Sequence, residues 1–181
     1  MKGTILRNMI ALAGLTIFVA VASSQNAGNS AASQSHPQQQ DQQAHHCAAD
    51  MQTRGDAGMG FSQAKTTHHF ALTKDGGVIS VEVNDPKDTE SLDQIRMHLA
   101  HITKAFAAGD FDIPMFVHDQ APAGVPTMKA KKDRIHYKYE ETGRGGRVVI
   151  TSVDPDALAA IHAFLAFQIR EHDTGDRLSI Q

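Results

Sequence analysis

The chain has 181 residues, 17 Lys and Arg against 20 Asp and Glu, 11 His and one Cys. A single cysteine excludes an internal disulfide and a CxxCH haem site, so a folded domain must rest on its hydrophobic core. The acidic balance argues against nucleic acid as a partner, because the densest basic cluster is only Lys129, Lys131, Lys132 and Arg134.

Residues 1–22 read as a secretory signal: Lys2 and Arg7 precede an apolar run from Met9 to Val21, and Ala20 and Ala22 occupy the small-residue positions of a cleavage site. The run is shorter than the roughly 20 residues a spanning helix needs, which predicts a periplasmic or secreted protein with no stable membrane anchor after cleavage. Loss of Lys2 and Arg7 leaves 15 basic against 20 acidic residues, a formal charge of -5. Residues 23–57 are mostly Gln, Ser, Ala, Asn and His, a composition that buries too little apolar surface to fold. They are expected to form a disordered tether carrying Cys47, with residues 58–176 as one domain and 177–181 as a tail.

The domain contains an internal repeat. Ile95 to His101, ending at Gly109-Asp110, aligns without gaps on Ile161 to Phe167, ending at Gly175-Asp176; Gly76-Gly77 and Val78 to Val81 align on Gly145-Gly146 and Arg147 to Ile150. Each copy, about 67–110 and 134–176, reads as strand, glycine turn, strand and helix, with the glycines supplying a positive φ at the turns. Asp88 or Thr89 and Asp154-Pro155 mark the helix starts. The expected fold is α+β: two ββα repeats form a four-stranded antiparallel sheet with two helices on one face, related by a pseudo-twofold axis. The Pro-containing segment 112–128 is expected to cross the domain as an ordered loop.

In the first helix Leu92, Ile95, Leu99, Ile102 and Phe106 form an apolar stripe, while Gln94, His98 and His101 share another face. Two imidazoles on adjacent turns form half of a zinc or copper site, with Met97 one turn from His101. The equivalent residues of the second helix are Phe164 and Phe167, so that face is expected to meet the other helix, the central segment or another subunit in a homodimer. His162 and His172 lie near the core stripe Leu158, Ile161, Leu165 and Ile169 and are expected to be hydrogen-bonded packing residues. On the strands, alternation turns Phe70, Leu72, Tyr137 and Tyr139 toward the helices and His69 and His136 to the open face, where they form a second candidate metal set near Glu82. His68 points inward, as a satisfied core or edge residue.

The segments Met59-Gly60-Phe61, Thr67-His68-His69-Phe70, Ala160 to Phe167 and His172-Asp173-Thr174-Gly175-Asp176 resemble a family of exported bacterial proteins with no established activity. The resemblance implies export and the domain boundaries, and brings no cofactor or catalytic residue. An aspartate carbamoyltransferase label attached to some such proteins does not suit this chain, which is too short for that two-domain enzyme and lacks its SxRT motif.

GxSxG, HExxH, P-loop and dinucleotide fingerprints are absent. The leading expectation is an exported binding or accessory protein that holds copper or zinc through His98 and His101, or through His69 and His136. The alternatives are a non-metal ligand-binding or homodimerising module using Phe164 and Phe167, and a small hydrolase or acid-base enzyme using His136 with Glu82.

Overall fold

The computed structural model describes residues 50–181; the signal segment, His45, His46 and Cys47 lie outside the described residues. Helix α1 covers residues 50–59. Then come β1 (Thr66–Thr73), β2 (Gly76–Val83), α2 (Thr89–Ala108), α3 (Asp112–His118), α4 (Val125–Ala130), β3 (Ile135–Thr142), β4 (Gly145–Ser152) and α5 (Pro155–Glu171). The protein is α+β, with a single four-stranded antiparallel sheet in the order β1-β2-β4-β3.

Alternation along the strands sets the sheet's two faces. Phe70, Leu72, Ile79, Val81, Val148 and Ile150 are buried and belong to one hydrophobic cluster that includes Ile95 and Leu99 of α2 and Ile161 and Leu165 of α5. Helix α2 lies over β3 and β4, and α5 lies over β1 and β2. Each helix begins where its sequence directs: the Asp88 carboxylate accepts from Ser91 N at 3.0 Å, and that of Asp154 accepts from Asp156 N and Ala157 N, both at 3.0 Å, with Pro155 following. Asp154 also pairs with Lys131 Nζ at 2.8 Å.

Of the hairpin glycines only Gly76, with φ +157°, has the positive φ expected of them. Two-residue loops, Lys74-Asp75 and Gly143-Arg144, join the strands, and Gly77, Gly145 and Gly146 are not in the left-handed region. They permit close packing instead. A Cβ on Gly77 would collide with Leu165 Cδ1 and Ala71 O, and one on Gly146 would lie 2.8 Å from Tyr139 Cε2 and 3.1 Å from Leu99 Cδ1.

Two further departures from expectation shape the site. Residues 50–57, assigned by composition to the tether, are helical, and Arg54 Nε donates to Val117 O at 3.0 Å. The segment 112–128 is largely helical, forming α3 and α4 around buried Val117, Val125 and Met128. Helices of 7 and 6 residues are too short to persist alone, so packing against the domain holds them. The chain end is also tied down: Asp176 accepts from Phe70 N at 2.8 Å, and Gln181 N donates to Leu72 O at 2.9 Å. Edge strand β1 is thereby partly covered.

Candidate functional site: a histidine-lined chamber and its outer cleft

A cavity of about 60 Å³ lies between the sheet, α2, α3 and α5. Core side chains including Phe70, Val81, Leu99, Phe106 and Phe164 form its apolar walls, and the polar side chains lining it are His68, His98, His172 and Gln168. His68 arrives by strand alternation, since β1 turns it inward with Phe70; His172 arrives at the C-cap of α5, and Gln168 one turn earlier.

The rings pack closely. His172 lies nearly parallel to His68, with centroids 5.6 Å apart, and edge-on to His118 at 5.0 Å. His98 meets Phe61 edge-on at 5.5 Å. Burial disfavours the imidazolium form and, reinforced by the neighbouring imidazoles, lowers His68 and His98 to about 4 and His172 to about 3. Burial also lowers His118, against the opposing pull of Gln168 and Glu171. These four rings are therefore neutral at pH 7.

Three nitrogens of these side chains have no hydrogen-bond partner: His118 Nδ1, Gln168 Nε2 and His68 Nε2. His118 Nε2 lies 3.0 Å from Gln168 Oε1, so the imidazole donates and the Gln168 amide nitrogen is left without an acceptor. His68 Nε2 is likewise unpartnered, and so this residue is inward as expected but not satisfied. Polar atoms enclosed without partners are exceptional in folded proteins and point to something that occupies the space.

Outside the chamber is an open cleft of about 390 Å³, which shares Met59, His98 and Ile113 with it. Gln94, Met97 and His101 of α2 line this cleft too. Met59, Met97, His98 and His101 thus present two thioethers and two imidazoles around one opening, and among the described residues no carboxylate or thiolate lines it. Met97 is 66% exposed although apolar, and His101 is exposed.

The structure therefore brings His98 and His101 to one cleft, with His98 also reaching the chamber. It does not bring His69 and His136 together. They sit on the outer strands β1 and β3, three strand spacings or about 14 Å apart across the sheet. The register opposes His69 to Ser80, Arg147 and then Glu140, four residues along from His136, which adds about 13 Å lengthwise. His69 Nδ1 is 3.1 Å from Asp176 Oδ1. Glu82 and His136 lie toward opposite ends of the sheet, since His136 aligns through Thr151 with Gly76, six residues from Glu82. Among the described residues no group of three or more His, Cys, Asp or Glu side chains is arranged to hold a metal ion.

Phe164 is 1% exposed and packs against Phe106 and Phe111, while Phe167 is half-buried against the ring of His118. The central segment thus covers much of that face of α5. His162 is a hydrogen-bonded packing residue, its Nε2 donating to Thr73 O at 2.9 Å. The sequence reading missed Gln168 and His172 in the chamber, and His118 packed behind them; its one usable signal was the inward phase of His68. Comparisons with protein-family models, curated proteins and solved structures returned no match. Among the described residues no helix is long and apolar enough to cross a membrane.

Proposed function

We propose that this is an exported copper-binding accessory protein that holds the ion in the outer cleft through His98 and His101, assisted by Met97 and Met59. The observation that carries the reading is the chemistry of the cleft lining: imidazole and thioether donors together, from two helices, without a carboxylate. Thioethers favour copper(I), whereas zinc sites draw on thiolate, imidazole and carboxylate. His98 is neutral over the physiological range, so its lone pair is not lost to a proton. On α2, Met97 and His101 are four residues apart and His98 and His101 three, which sets all three on neighbouring turns. The signal-like residues 1–22 support export to the periplasm or beyond.

The reading includes a duplicated ββα architecture with a pseudo-twofold axis through the Ile79–Val148 pair. Its support is the register between β2 and β4: exchanging repeat-equivalent residues turns Gly77↔Ile150 into Gly146↔Val81 and Gly76↔Thr151 into Gly145↔Glu82, all of which pair. Leu165 over Gly77 and Leu99 over Gly146 are equivalent contacts as well. The first copy then differs from the second where His98 and His101 replace Phe164 and Phe167, and the cleft marks that difference.

The test is metal analysis of untagged protein, followed by competition for copper(I) against a chromogenic chelator under reducing, anaerobic conditions. One equivalent of copper is expected, with the affinity weakened at least about tenfold by His101→Ala or Met97→Leu. Both positions are exposed enough to leave the fold intact. Copper stoichiometry and affinity unchanged in the His98→Ala, His101→Ala double variant would refute the proposal.

A further inference from the structure

The chamber behind the cleft plays no part in that reading apart from the wall at His98. Its character is set by what it lacks. Gln168, 5% exposed, has an amide nitrogen with no acceptor, and His68 Nε2 is enclosed without a partner, while the remaining lining is predominantly aliphatic and aromatic. A water on the two nitrogens would meet only the minimum of the two to four polar partners that hold a buried water, and would gain nothing from the apolar walls that make up most of the lining. A charged molecule is a poorer one still, since the chamber offers no opposite charge to a carboxylate or ammonium group.

We propose that the chamber binds a small uncharged carbonyl compound, whose oxygen accepts hydrogen bonds from the Gln168 amide and the His68 imidazole while its alkyl part lies against Phe70, Phe106 and Phe164. A carbonyl oxygen has two lone pairs and so satisfies both donors at once. The volume of about 60 Å³ holds roughly two or three water-sized groups, which matches a ketone or aldehyde with a very short chain, or the carbonyl end of a longer one. Met59, His98 and Ile113, shared by chamber and cleft, mark the way in. The neutral state of His68 at pH 7 agrees with a donor that carries no charge.

Three probes of nearly one shape separate the possibilities: acetone, isobutene, which lacks the acceptor, and acetate, which is charged. Each is titrated into metal-free protein and followed by amide chemical shifts. Acetone is expected to shift the amides of Phe70, Leu99 and Gln168 saturably and to bind about tenfold more tightly than isobutene, with acetate causing no chamber shifts. Gln168→Met is expected to abolish the preference for acetone while isobutene still binds, which shows that the variant keeps its chamber. Ile102→Phe, which fills the space, is expected to stop both. Equal binding of acetone and isobutene to the unmodified protein, or chamber amides unmoved by acetone, would overturn the proposal. So would a crystal grown with acetone that shows only water on the two nitrogens. Copper is absent from every arm, so the result is independent of whether the cleft holds metal.

Discussion

Mild acid should destabilise this protein steeply, well above the pH at which its carboxylates titrate. In the folded chain His68 and His98 titrate at about 4 and His172 at about 3, whereas in the unfolded chain all three titrate near 6.5. Between those limits the unfolded state binds protons that the folded state refuses, so unfolding becomes more favourable as the pH falls. The stabilisation is fully present above about 6.5 and is lost progressively on the way down to the folded values. From pH 7 to pH 5 each ring contributes a loss of about 2 kcal/mol, and the three together about 6 kcal/mol. That is comparable to the whole stability of a typical domain, about 5–15 kcal/mol. Burial also lowers His118 and adds in the same direction, moderated by Glu171. Asp88, Asp154, Asp176 and Glu140, whose hydrogen bonds hold them below the usual carboxylate range, titrate beneath this window. Urea denaturation at pH 7, 6 and 5, followed by far-ultraviolet circular dichroism, measures the loss directly. His172→Phe should remove roughly a third of the pH dependence. Equal stability at pH 7 and pH 5, or a rise on acidification, would refute the account of the buried imidazoles.

Gly77→Ala should destabilise by about 1–3 kcal/mol, because its Cβ meets backbone at Ala71 O as well as Leu165, and by more than Gly146→Ala, whose nearest neighbour is the Tyr139 ring; paired thermal melts give the order. Phe164→Ala should cost about 3–5 kcal/mol in denaturant titrations, since the ring is enclosed by Phe106 and Phe111. Phe164→Glu should unfold the chain rather than dissociate a dimer, which light scattering and circular dichroism together distinguish. Asp176→Ala should free the chain end from β1, cost about 1–2 kcal/mol and accelerate hydrogen exchange at Phe70 N. The proposed export predicts that N-terminal sequencing of protein expressed from the full chain in a bacterium begins at Ser23; retention of residues 1–22 would reject the cleavable signal.

Elements governed by local chemistry were legible before any coordinates. Asp88 and Asp154-Pro155 are helix starts because a carboxylate and a proline suit those positions wherever they occur. Strand alternation likewise needed only the period of two, and it turned His68 inward and His69 outward correctly. Helix α1 was not legible because residues 50–57 have the composition of a tether and owe their order to contacts such as Arg54 with Val117 O. Helices α3 and α4 were hidden for a related reason, their stability coming from neighbours rather than length. The glycine pairs were recognised at the right places, but the expected positive φ holds at Gly76 alone; Gly77 and Gly146 are required by the close approach of Leu165 and Leu99.

The site divides along the same line. His98 and His101 share one helix face, a relation contained within four residues; His98 is half-buried there and His101 exposed. Joining His68 to His172, by contrast, depends on where α5 ends over β1, and joining His118 to Gln168 depends on how the central segment folds back. Single-sequence periodicity carries no information about such meetings. It marks each histidine as a separate inward or outward residue, and an isolated buried imidazole normally finds a hydrogen bond. Only when three neutral rings and an unpaired amide gather around one space does their polarity become a demand on whatever enters it. The two proposals are therefore separable: one rests on imidazole and thioether donors at the surface, the other on unpaired hydrogen-bonding groups inside. A protein that binds copper with the chamber filled by Ile102→Phe, and acetone with His101 and Met97 replaced, would establish that the two sites act independently.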